Sequence, residues 1–211
     1  MKRDVASGCL LIAGAASGVA VMLLHPTGHE LMDPETGARL ARVNAFVHAL
    51  ALFAMPAIFA GLLGVWRRLA PSDLAVGALI AYGWGCVAVM GAAVASGFVA
   101  PGVIEHIVAK EGSKIPDAFL LYTGLWNHAF AKVNIVASSV SILLFSIVIV
   151  RTGRLMRAAG TAGAIVAALI LLLFFAGHIG VDVHGFGLVT FAQAAWLIWV
   201  GVLMTVARDP S

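Results

Sequence analysis

Apolar residues gather along the chain in six long runs, and polar residues collect between them. The runs cover residues 5–24, 44–66, 74–100, 128–150, 158–178 and 188–207. A helix needs about 20 such residues to cross a bilayer, because lipid offers its backbone no hydrogen-bond partner. The pattern predicts an all-α fold, a single transmembrane domain over residues 1–211 with six spanning helices. The first run follows Lys2, Arg3 and Asp4 and is read as a span rather than a cleaved signal peptide.

Cations predict the orientation. Lys2, Arg3, Arg67, Arg68, Arg151, Arg154, Arg157 and Arg208 fall on one side of the spans. Arg39, Arg42, Lys110 and Lys114 fall on the other, and Lys132 lies inside the fourth span. The positive-inside rule then puts both termini and the short connectors 67–73 and 151–157 in the cytoplasm of a cell (inner) membrane protein. The acids Glu30, Asp33, Glu35, Glu105, Glu111, Asp117 and Asp182 lean to the outer, periplasmic side.

Local signals refine the elements. Asp33-Pro34-Glu35 and Ile115-Pro116-Asp117 read as helix starts, expected to open short amphipathic turns on the membrane surface. Pro56 is expected to kink span two. Gly14 and Gly18 make a small-residue stripe in span one. Span three carries Gly77, Gly83, Gly85, Gly91 and Gly97, which predicts that it is the central helix. Such stripes also admit a homo-oligomer.

Composition agrees with the pattern and excludes much else. Hydrophobic residues make up 62% and charged residues 11%, against about 25% charged in soluble domains. Mean hydropathy is +1.03. A net charge of +3, scattered over the connectors, gives no footprint for nucleic acid, so the lipid bilayer is the expected partner. The two cysteines, Cys9 and Cys86, stand at different depths and read as buried thiols rather than a disulfide.

Seven histidines are many for a chain with so few charges. At about 1.5 Å per residue, His48 and Lys132 stand about 28 Å from Arg67 and Arg151. His25, His128 and His178 stand about 32–35 Å from their nearest cytoplasmic cations. His29, His106 and His184 fall in the outer connectors, so all seven lie on one side of the membrane. Interfacial comfort accounts for some of this, since imidazole has an apolar body and a polar tip. His48 and Lys132 ask for more, because ionisable groups within a span are costly and face the bundle interior.

Imidazole suits zinc, copper and iron, so His25, His29, His48, His128, His178 and His184 are the expected pool of metal ligands. Met22, one turn before His25, and Met32 add a slight preference for copper. A haem b would need two axial imidazoles at one depth, and His48 with His128 or His178 would supply them. Asp182 and Lys132 are the expected catalytic or orienting groups, Lys132 pairing Asp182 or meeting an anionic or lipophilic substrate unless it only snorkels.

Several motifs fail. His25-Pro-Thr-Gly-His29-Glu30 lacks zinc-protease geometry, because Pro26 and Gly28 break the helix that its two imidazoles would share. Ser17 and Ser96 have no dedicated base, and the paired histidine boxes of diiron desaturases are missing. The leading expectation is a metal- or haem-dependent membrane oxidoreductase with its site at the outer face. A transporter or channel for a metal ion or small anion stands second, because the inner halves of spans two, five and six are almost wholly apolar. An accessory subunit of a membrane complex stands third.

Overall fold

Each apolar run folds into a helix, and local residues set the ends. A computed structural model describes residues 2–26, 37–69, 72–111 and 115–206. The elements are α1 (Lys2–Leu24), α2 (Gly37–Leu69) and α3 (Asp73–Val94), a π-turn (Ala95–Val99), then α4 (Ala100–Glu111), α5 (Asp117–Thr152), α6 (Arg157–Phe175) and α7 (Val183–Val206). Six of these segments are long and apolar enough to cross a membrane. Helix α1 stops at Leu24, because the residue before Pro26 is pushed out of helical conformation. Ser72 caps α3 by accepting the Ala75 N–H at 3.2 Å. Gly153 ends α5 in the left-handed conformation, φ 63°, its N–H bonded to the Ile149 carbonyl at 3.0 Å.

Two expectations change. Asp117 begins no separate surface turn: α5 runs unbroken for 36 residues, about 54 Å. Span three likewise continues through the π-turn into α4. These segments are longer than the roughly 30 Å hydrocarbon layer needs. Helix α2 passes through Pro56 without interruption. The expected start at Asp33-Pro34-Glu35 lies outside the described residues.

The helices close into a ring. Helix α1 packs between α2 and α7, α2 meets α3, α3 meets α5, and α5 meets α6, which returns to α7. Close backbone approach makes the α1 contacts. A β-carbon on Gly8 would stand 2.5 Å from the Gly201 carbonyl, and one on Gly14 would stand 2.6 Å from Ile58. Gly18, the other half of the expected stripe, has room around it.

The central helix is α5 rather than the glycine-rich one. Of its apolar window 56% is buried, against 17% for the segment containing α3. Polarity explains the difference. Asn134, Ser138, Ser139, Ser141 and Ser146 are all buried on α5, and polar side chains that cannot face lipid turn inward. Gly85 and Gly91 of α3 press most closely on α5, against Asn134 and Phe130, while Gly77 meets Leu144 of α5 and Gly83 meets Phe59 at ordinary contact distance.

The two ends of the bundle differ. Near the arginines, Leu62, Val65, Leu69, Phe145, Ile149 and Met204 form a packed apolar plug. Arg68 ties α2 to α1 there through a 2.8 Å ion pair with Asp4, and Arg154 donates to the Arg68 carbonyl. The other half has smaller apolar clusters around Val47 and Ile135, with buried Asn44, His48, Asn134 and Gln193 among them.

Candidate functional site

At the end of α1 and near the start of α2, two histidines meet. The rings of His25 and His48 lie edge to face, 5.1 Å between centroids and inclined by 63°. His48 Nδ1 donates to the Asn44 carbonyl at 2.7 Å, and His25 Nδ1 to the Pro26 carbonyl at 2.9 Å. Carbonyl oxygens only accept, so each ring carries its proton on Nδ1 and keeps a lone pair on Nε2. That tautomer is the one that binds a metal through Nε2, with Nδ1 anchored by the backbone. Burial holds the His25 pKa below its ordinary 6.5, partly offset by the Pro26 carbonyl.

A polar lattice fixes His48. Asn44, one turn before it on the same face, donates to the Ser96 carbonyl at 3.1 Å. Ser96 belongs to the π-turn, where the helical ladder widens, and its hydroxyl donates to Asn127 of α5 at 2.7 Å. Gly97, in the same π-turn, lies against the His48 side chain with no room for a β-carbon between them. Helices α2 and α5 are thus both tied to the π-turn that packs against the His48 side chain.

Below this pair lies a cavity of about 70 Å³, bounded by α1, α2, α3, α5 and α7. Val21 and Ala51 belong to its wall, Val21 four residues before His25 and Ala51 one turn after His48, while neither histidine lines it. Tyr82, Asn134, Ser138, Thr190 and Gln193 supply its polar lining. Asn134 Nδ2 donates to the Gly85 carbonyl at 3.1 Å, and Gln193 Nε2 to the Ser139 hydroxyl at 3.0 Å. The amide nitrogens thus tie α5 to α3 and α7 to α5. The volume is that of about two waters, or one ion with part of its shell.

Polar groups continue towards the arginine end. From Asn134 to Ser146 the buried polar positions of α5 extend about 18 Å. Among the described residues, the buried hydroxyls of Ser141 and Ser146 have no hydrogen-bond partner. Ser146 lies where α6 comes closest, opposite Gly163 and Trp196, whose indole donates to the Ala159 carbonyl at 2.9 Å.

Of the expected ligands, only His25 and His48 come together. His128, His178 and His184 are exposed, as is His106, and His29 lies outside the described residues. Lys132 is exposed on α5, about one turn from His128. Asp182 is exposed and accepts the Gly185 N–H at 2.7 Å, the work of a helix cap at the start of α7. Among the described residues, no three His, Cys, Asp or Glu side chains form a metal-binding group. Edge-to-face rings 5.1 Å apart leave no space for a porphyrin between them, so this pair does not fit a haem. Cys9 is exposed rather than buried, while Cys86 is buried and donates to the Met55 carbonyl at 3.7 Å.

Two features escaped the sequence reading. The π-turn that receives Asn44 has no local signature beyond Ser96-Gly97. Met55 lines the cavity together with Met22, and its place seven residues after His48, two turns along the same face, was the available signal.

Comparison with protein-family models, with curated proteins and with solved structures finds no match for this chain.

Proposed function

We propose that this chain is a multi-pass transport protein for a transition-metal ion. His25 and His48 capture the ion at the outer face of the membrane, and the cavity beneath them holds it on its way across. One observation carries the reading: two imidazoles with Nδ1 anchored and a lone pair left on Nε2 meet near one end of a ring of spanning helices, about a turn along the chain from the wall of a small, mostly apolar cavity with a few polar groups. Beyond Asn134 and Ser138, which line the cavity, α5 carries further buried hydroxyls towards the arginine end, and polar groups at that depth favour passage over a one-sided site. The apolar plug around Phe145 and Met204 closes the path in this conformation, so passage requires the bundle to rearrange. Catalysis has less support, because Lys132 and Asp182 are both exposed.

Uptake of zinc(II) or copper(I) into proteoliposomes tests the reading. Uptake that disappears in a His25→Ala/His48→Ala variant supports it, and equal uptake by variant and wild type overturns it.

A metal-dependent oxidoreductase acting on a lipophilic substrate is the second reading. It is favoured by an apolar groove of about 680 Å³ between α3, the π-turn and α5, lined by Phe119, Tyr122 and Trp126 and reaching Ser96. Turnover of a lipophilic electron donor by metal-loaded protein, lost on replacing Trp126 by Ala, would raise it above transport.

A further inference from the structure

Resting on the transport reading, we infer that the ion is copper(I), with Met22 and Met55 as its ligands below the imidazole pair. The donor set carries the inference. Met22 of α1 and Met55 of α2 both line the cavity, Met22 three residues before His25, which follows the end of α1, and Met55 seven residues after His48 on α2. Imidazole alone accepts several divalent ions, but thioether sulfur selects soft copper(I).

Charge points the same way. Among the described residues, no Asp or Glu lines the cavity; its polar groups are neutral amides and hydroxyls. The cost of moving an ion from water into a low-dielectric interior rises with the square of its charge, so a divalent ion meets about four times the penalty of a monovalent one. Zinc(II) sites offset this with thiolates or carboxylates, and hard ions ask for an oxygen cage. Neutral imidazole and thioether donors suit an ion of single charge and soft character. Along the chain Met22 lies about one turn from His25 and Met55 about two turns from His48, a spacing that offers a copper(I) ion successive ligands rather than one closed cage.

The test uses the full chain in nanodiscs under anaerobic, reducing conditions. Copper(I) is titrated against bicinchoninate, and zinc(II) against a chromophoric zinc chelator. Wild type, His25→Ala/His48→Ala and Met22→Leu/Met55→Leu are compared; the methionine changes conserve volume and keep the packing. Copper(I) binding weakened about tenfold or more in the methionine variant, with zinc(II) binding unchanged, is the expected result. Sulfur scattering in the copper X-ray absorption spectrum should disappear with it. Copper(I) affinity within about twofold of wild type in the methionine variant overturns the copper assignment and leaves metal transport standing. Absence of both metals from the wild type overturns the assignment and the transport reading together.

Discussion

The side chain of His48 occupies the space where a β-carbon on Gly97 would stand. Glycine in the π-turn is therefore what lets the turn close over the imidazole, and Asn44 and Ser96 hold the two helices in that register. Gly97→Ala should push His48 away from His25. The overpacking should cost about 1–3 kcal/mol and lower the melting temperature in detergent. Metal affinity should fall as well. A variant that melts lower but binds metal like wild type would show that the π-turn does not position His48.

Ser146 offers a way to separate folding from transport. Its hydroxyl is buried without a partner among the described residues, so removing it deletes an unsatisfied group. Ser146→Ala should leave the melting temperature unchanged or raise it, yet slow metal flux in proteoliposomes. Unchanged flux would take Ser146 out of the path.

Asp4 and Arg68 join α1 and α2 far from the histidines. Asp4→Ala leaves a largely buried guanidinium without its partner and should destabilise the protein by about 2 kcal/mol, read as a lower melting temperature. Metal binding at His25 and His48 should be unaffected. Coupled loss of both would mean that the two ends of the bundle communicate.

His25 titrates below 6.5 in the folded protein because its ring is partly withdrawn from water. The folded state then binds fewer protons than the unfolded chain. Stability from this residue is intact above pH 6.5 and declines as the pH falls below it. Histidine-labelled NMR of the metal-free protein should show the His25 resonance shifting below pH 6.5. A midpoint above 6.5 would contradict the burial.

Hydropathy made the six spans legible, since backbone in lipid has one helical solution. The shared face of Asn44 and His48, and the break before Pro26, were legible from spacing and proline chemistry. Histidine clustering was legible only as a depth. Distance along a helix axis says nothing of which way a side chain points around it, so His128 fell in the same slab as His48 but is exposed on α5, while His178 lies past the end of α6 and is exposed there. Span three misled for a related reason. Glycines permit close packing, whereas the buried amides and hydroxyls of α5 require it. The cavity depends on five helices meeting, which no local pattern in one chain records.

Metal content measured alongside proteoliposome uptake tests the central claim most directly. Protein purified without chelators should carry copper or another transition metal at close to one ion per chain. Uptake should be abolished by His25→Ala/His48→Ala and preserved by His128→Ala and His178→Ala. Absence of bound metal together with uptake indifferent to His25 and His48, or a site that depends on His128 and His178 instead, would contradict it.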